Sequence, residues 1–317
     1  MTDEIILAGE TKLSTHLAEV AEEARQIIAS GVPANTRRTY RSQWGLFLAW
    51  CHQHDRCPLP ASGETIVLYL TDRSHEVKVS SLEVGLAAIT IAHREAGHTN
   101  WASTDLPGVR IFMRGLRREK GARPKKKRAM TLDLLKKGLP SGSTPAAVRD
   151  RAILLVGFFS ALRRAELSAL DVEDVSEIGS GLRIEVWASK TDKAAEGQVV
   201  SVPRLFRRDE VCPVLALRAW IADRTTGPLF TALHTGSRLQ PQAIAGVVKQ
   251  AAQRAGLPPK EFAGHSLRSG FVTSAARADA KERDIMTVTR HTSERTVRGY
   301  IQEATLGDNH PGKKIVE

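Results

Sequence analysis

Cysteine is scarce in this sequence, with only Cys51, Cys57 and Cys212 in 317 residues. They form neither a CxxC pair nor an even framework, which excludes a disulfide scaffold, argues against a zinc site and predicts buried, reduced thiols. Long hydrophobic runs are also lacking. The most apolar stretch, Ala152 to Leu162, is closed by Arg151 and Arg163 and falls well short of the roughly 20 residues that a membrane-spanning helix needs. Met1 to Glu10 has no basic region followed by an apolar core, so no secretory signal is read and a cytoplasmic protein is expected. Aromatic residues make up 5% of the chain against 42% hydrophobic residues overall. That balance fits a helix-rich globular protein and excludes fibrous or disordered classes. A chain of this length is expected to form two domains.

Charge is present in excess of one sign and in one place. The net charge is +11, and Arg110 to Arg128 contributes +9 of it, with ten basic residues against Glu119 alone. The remainder is close to neutral. A single basic belt on such a chain points to a polyanion held at a defined place, although a solvated charge run has the same composition.

The pattern along the chain is helical at first. Apolar spacing predicts helices over Thr15 to Ala29, from an Asn35 or Thr36 cap to about His52, and from Ser62–Glu64 onward. Ser80 with Glu83 matches a capping box ahead of Val84 to Ala96, which Gly97 ends; a shorter helix covers Val109 to Arg118. Residues 1–120 are thus expected to be a helical bundle. Pro124 and the like charges of residues 121–130 break the pattern, so this segment reads as a basic linker. Thr131 is the expected cap of a second, mostly helical domain over 131–305, and 306–317 reads as a tail. Within it, Ala146 to Leu162 is a long buried helix and Arg163 to Leu170 a short one. Leu182 to Ala188 and Gln198 to Val202 are two strands of a hairpin, with Lys190 to Gly197 as its turn. Helices return over Val214 to Asp223, Pro241 to Ala255, Ser266 to Arg277, Lys281 to Thr289 and Ser293 to Glu303.

Four separated pieces carry candidate chemistry. Arg163 follows the apolar helix, with Glu166 one turn later; alone, such a pair is an ordinary surface ion pair. Lys190, with Lys193 beside it, sits in the hairpin turn, where lysines are ordinarily solvated. His265 and Arg268 stand three residues apart after Gly264, so on a helix they converge on one anion. His291 precedes Tyr300 by nine residues, and Ser293 caps the intervening helix with Val297 and Ile301 facing inward. Taken alone, Tyr300 reads as a half-buried core residue.

In this order and spacing the pieces resemble the tyrosine recombinases, also called phage integrases, over residues 131–303. The layout of the helical first part and basic linker is similar to the Cre-like branch of that family. The resemblance implies a mainly α fold. It has a helical-bundle core-binding domain and a mostly helical catalytic domain with a small antiparallel sheet, the DNA breaking-rejoining fold. It also implies site-specific recombination: cleavage and rejoining of DNA through a 3′-phosphotyrosine, without metal, ATP or any cofactor. Tyr300 is then the nucleophile, Arg163 and Arg268 the phosphate clamps, and His265 and His291 further donors, with His265 able to accept the tyrosine proton. Lys190 is the general acid, with Lys193 the alternative. Glu166 orients Arg163. Phenols ordinarily ionise near pH ~10, so positive charge around the reacting phosphate is what this chemistry requires. Two positions depart from the family pattern: Ala161 and Arg290 stand where relatives often have glycine.

The expected partners are double-stranded DNA bearing an inverted-repeat site and further copies of the chain, two per site and four on two sites. Phosphate contacts are expected from Lys125, Lys126, Lys127 and Arg128, and groove contacts from Arg37, Arg38 and Arg41, from Ser80 and Ser81, and from Gln240 and Gln242. The family setting implies a bacterial, phage or plasmid origin. A non-catalytic DNA-binding regulator with the same fold is the alternative, as is an integrase or resolvase relative needing accessory proteins. The complete residue set favours catalysis.

Overall fold

The computed structural model describes residues 15–121, 126–187, 197–290 and 294–304. The chain divides into two compact units, Met1–Pro124 and Lys125–Glu317. No helix among the described residues is long and apolar enough to cross a membrane.

The first unit consists of helices α1 (Thr15–Ser30), α2 (Ala34–Gln53), α3 (Gly63–Ser74), α4 (Val79–Glu95) and α5 (Pro107–Lys120). Apolar faces drive its assembly: α2 packs on α4 and α3 on α5, burying Phe47, Ile66, Leu70, Ile89, Val109 and Met113. Each such side chain contributes about 1.5–3 kcal/mol of burial. His93 is wholly buried and stacks on Trp101 at 3.5 Å. Its Nδ1 donates to the Ile89 carbonyl and its Nε2 accepts from the Ala61 N–H, each at 2.8 Å, which suits the neutral ring.

The second unit begins with α6 (Leu132–Gly138), α7 (Pro145–Phe159) and α8 (Arg164–Ala169). A three-stranded sheet follows, β1 (Val175–Ile178), β2 (Gly181–Val186) and β3 (Gln198–Pro203), antiparallel in that order. The register pairs Val175 with Ile184, and Val186 with Gln198. Helices α9 (Pro213–Ile221), α10 (Pro241–Arg254), α11 (Ser266–Arg277), α12 (Glu282–Thr289) and α13 (Glu294–Ala304) complete it. From Ala152 onward helix α7 is apolar on every side. Ala152 through Phe158 are all buried, so it forms the axis on which α9, α10 and α11 pack.

The architecture is the mainly helical one expected, with local corrections. The sheet has a third strand, β1. Its side chains are mostly exposed, so no apolar alternation marks it. The Ser80–Glu83 capping box does not form: α4 starts at Val79 with Lys78 as its cap residue, and Glu83 instead accepts two hydrogen bonds from Arg117 of α5 at 2.9 and 2.7 Å. Pro33 precedes α2, so Asn35 and Thr36 lie within its first turn. Thr131 occupies the cap position of α6 without a side-chain cap bond. Of the three thiols, Cys51 and Cys212 are buried but Cys57 is exposed. Burial pushes the Cys51 thiol up to about 11, and Cys57 nearby adds to the shift.

Candidate active site

The site is built at the end of α7. The chain leaves that helix through Ser160 and turns at Ala161, whose φ is +49°. This left-handed turn costs an L-residue roughly 1–2 kcal/mol, and it aims the Ala161 carbonyl at Arg268, whose Nη1 donates to it at 2.8 Å. Two residues on, Arg163 occupies the cap position of α8. Its backbone N–H donates to Glu166 Oε2 at 2.9 Å and its Nη1 to Oε1 at 2.6 Å. The carboxylate is therefore more than a surface partner: its side chain is 3% exposed, against 22% for Arg163. Burial pushes the Glu166 carboxyl up, but the Arg163 N–H, the Arg290 charge and the Arg163 guanidinium outweigh it and hold the group below its ordinary range.

His265 and Arg268 come together at the start of α11, though not as two residues of one helix. His265 holds the cap position, with φ −80° and ψ −10°, and Arg268 lies in the first turn. Part of the His265 surface reaches solvent. Desolvation by the packed protein, followed by repulsion from Arg268 and Arg163, nevertheless holds the imidazole below its ordinary value of 6.5. Arg268 is 1% exposed, and its Nε and Nη2 are buried with no hydrogen-bond partner among the described residues. Burial, then the neighbouring Arg163, pushes its guanidinium down to about 10. Glu166 and the Tyr300 phenol oppose that shift, which brings both within electrostatic reach of Arg268.

Tyr300 is on α13, which packs against α11. Its half-buried ring lies on the small apolar cluster of Val272, Ala276, Ile285 and Val297. Lys126 Nζ stands 5.2 Å from the ring centroid. The segment from Lys126 to Met130 runs along the start of α11. Lys127 Nζ donates to the Lys260 carbonyl at 2.5 Å, Arg128 N to the Glu261 carbonyl at 2.8 Å, and Met130 N to the Ser266 carbonyl at 2.8 Å. A Cβ on Gly270 would stand 1.8 Å from the Met130 carbonyl oxygen, so only glycine allows this approach.

Arg163, His265 and Tyr300 thus all lie within electrostatic reach of the buried Arg268 guanidinium. Lys125, Lys190, Lys193, His291 and the Ser293 cap lie outside the described residues. Of the remaining candidates, Arg38, Arg41, Ser80, Ser81, Lys126, Lys127, Arg128, Gln240 and Gln242 are exposed, and Arg37 is half-exposed. Arg38 is tied to Asn35 Oδ1 at 2.9 Å. Asp171, Glu173 and Asp174 each serve a structural bond, accepting from Arg238, from the Gly227 N–H and from Trp187 Nε1 respectively.

Arg290 was not expected to join the site. It terminates α12 with φ +54° and ψ 41°, and its guanidinium donates to Glu166 Oε2 and, at 3.0 Å, to Gln198 Oε1. The sequence signal was an arginine standing where a glycine is usual. Neither its left-handed backbone nor the fold-back of its side chain is visible in one sequence.

The Phage integrase family pattern matches residues 131–306. An integrase/recombinase XerD homolog from Selenomonas ruminantium is 33% identical over 294 residues, covering 90% of this chain and 86% of the relative. The recombinase Cre of Escherichia phage P1 is 25% identical over 284 residues, covering 80% of each chain. Among solved structures, a lambda integrase (75–356) dimer bound to a COC′ core site is similar in fold. Its TM-score is 0.60 at 18% identity, covering 88% of this chain and 93% of that one.

Proposed function

Because this chain belongs to the phage integrase family, the tyrosine recombinases, we propose that its site-specific recombination runs through Tyr300, with Arg163, His265 and Arg268 holding the scissile phosphate. The observation that carries this reading is Arg268. A guanidinium that is 1% exposed, with two nitrogens lacking a partner among the described residues, is costly unless an anion completes it. It sits beside a second arginine, a neutral histidine and a tyrosine.

The steps follow from those groups. Tyr300 Oη attacks the scissile phosphorus, and its proton passes to His265. The P–O5′ bond breaks, and the 5′ oxygen leaves as a hydroxyl after taking a proton from Lys190, the family's general acid. The product is a 3′-phosphotyrosine and a free 5′ hydroxyl. Attack by another strand's 5′ hydroxyl reverses the chemistry and releases Tyr300, so the bond energy is retained without ATP. Arg163 and Arg268 supply the fixed donors that phosphoryl transfer needs at its equatorial oxygens.

The DNA partner is a duplex, and the chain self-associates on it, two copies on an inverted-repeat site and four on a pair of sites; the lambda integrase dimer on a core site and tetramer on a Holliday junction support this reading. The first unit and the basic belt grip the backbone. The exposed starts of α2, α4 and α10 supply groove contacts through Arg37, Arg38 and Arg41, Ser80 and Ser81, and Gln240 and Gln242. The test uses duplexes selected from a random pool by the Tyr300→Phe protein, then nicked near the cleavage point. Wild-type protein should become covalently attached on a denaturing gel, with or without EDTA, and Tyr300→Phe should bind without attaching. Attachment by the variant would refute the nucleophile, and loss of attachment in EDTA would refute the metal-free route.

A further inference from the structure

We infer that Arg290 is a positioning residue of the cleavage site. It holds the second oxygen of Glu166, so that one carboxylate fixes Arg163 without neutralising the site. The inference rests on the recombinase reading above.

The backbone gives the first argument. Arg290 closes α12 in the left-handed region, its N–H bonded to the Met286 carbonyl at 2.7 Å. That is the place for glycine, which adopts the conformation without a Cβ penalty. A long side chain held there against its preference points to a task for the side chain.

The side chain gives the second. It is 8% exposed, and its Nη2 binds Glu166 Oε2 while its Nη1 binds Gln198 Oε1. Gln198 opens β3 and pairs with Val186 at the end of β2, so it stands at the root of the β2–β3 pair, between whose strands Lys190 falls in the sequence. Arg290 also directly precedes the His291–Tyr300 segment. One guanidinium therefore ties the Arg163–Glu166 corner and the hairpin root to the chain leading into the nucleophile's helix.

Charge gives the third. Arg163, Arg268 and Arg290 surround Glu166, and among the described residues no other carboxylate is bonded to any of them. Among the described residues the Nε of Arg290, like Nε and Nη2 of Arg268, is buried without a partner. Three guanidinium groups against one carboxylate leave two positive charges. Without Arg290, Glu166 would cancel Arg163 and leave one. A phosphodiester carries one negative charge and gains a second as phenolate attacks, so the surplus acts most strongly in the transition state.

The experiment compares wild type, Arg290→Gly, Arg290→Gln, Glu166→Gln and the two double variants on the selected nicked duplex. It reads DNA affinity and single-turnover covalent attachment separately. Arg290→Gly relaxes the backbone and removes the guanidinium, so it should fold and bind DNA within about 3-fold of wild type while attachment slows by about 100-fold. In the Glu166→Gln background the same change should slow attachment by less than about 5-fold, because the carboxylate it acts through is gone. Arg290→Gln, read the same way, serves if Arg290→Gly does not fold. Attachment at the wild-type rate in either single variant, or full multiplication of the Arg290 and Glu166 effects, would overturn the inference while leaving Tyr300 in place. Failure of wild type to attach would overturn the recombinase site and this inference together.

Discussion

At the scale of single residues, the site depends on how its electrostatics tune each group, and His265 shows this most directly. Desolvation and the charges of Arg268, Arg163 and Arg164 outweigh Glu166 and hold the imidazole's proton affinity down, so the ring stays neutral at pH 7 and is able to take the Tyr300 proton. Because its pKa is depressed, the neutral ring should persist as pH falls through 6.5, and cleavage should decline only below that. A single-turnover pH profile of wild type should show its acid limb below 6.5, and His265→Asn should be slow throughout and lack that limb. A limb centred above 6.5 would mean that the imidazole is not held as described. The residue types and spacing of Arg163, His265, Arg268 and Tyr300 were legible in the sequence because family order made four weak signals specific. The environment of Arg268 was not, since nothing in an HxxR spacing distinguishes a surface arginine from a buried one with two nitrogens unpaired among the described residues. Ala161 and Arg290 were visible only as departures. Their shared cause, a left-handed backbone at each, appears only in three dimensions.

At the scale of elements, strongly periodic segments were read to within a few residues, whereas capping and edge features were not. Helix α7 and helix α11 announce themselves by apolar content and by length. Strand β1 does not, because an exposed edge strand carries no buried face to alternate with. The Ser80–Glu83 pair shows how tertiary structure overrides a local motif. Arg117 on α5 offers Glu83 a two-nitrogen partner, and the helix starts where Val79 can be buried instead. Close backbone approach is likewise invisible beforehand. Gly270 brings α11 against the Met130 backbone, which seats the Lys126–Arg128 segment beside the site. Gly270→Ala should therefore destabilise the protein by at least about 1–3 kcal/mol, the usual cost of overpacking, in denaturant unfolding of the full chain. It should also weaken DNA binding through displacement of that segment. Unchanged stability would show that the backbone contact is not close.

At the scale of the whole molecule, the chain is a site-specific DNA recombinase in two compact units whose excess charge is gathered in Arg110 to Arg128. Counterion release makes such binding steeply salt-dependent. If the belt and α2 together neutralise about six to ten phosphates, a plot of log affinity against log salt should have a slope of about −5 to −9. Substituting Lys126, Lys127 and Arg128 together by Ala should make it shallower by about 2–3, and an unchanged slope would remove them from the interface. The central claim, however, is about one bond. Covalent complexes formed on the nicked duplex should be digested with nuclease and trypsin and the peptides mapped by mass. The account predicts a nucleotide remnant on the peptide from Gly299 to Lys313, attached at Tyr300 through a phosphate that survives acid. A remnant on any other residue, or an acid-labile link to histidine, would contradict it.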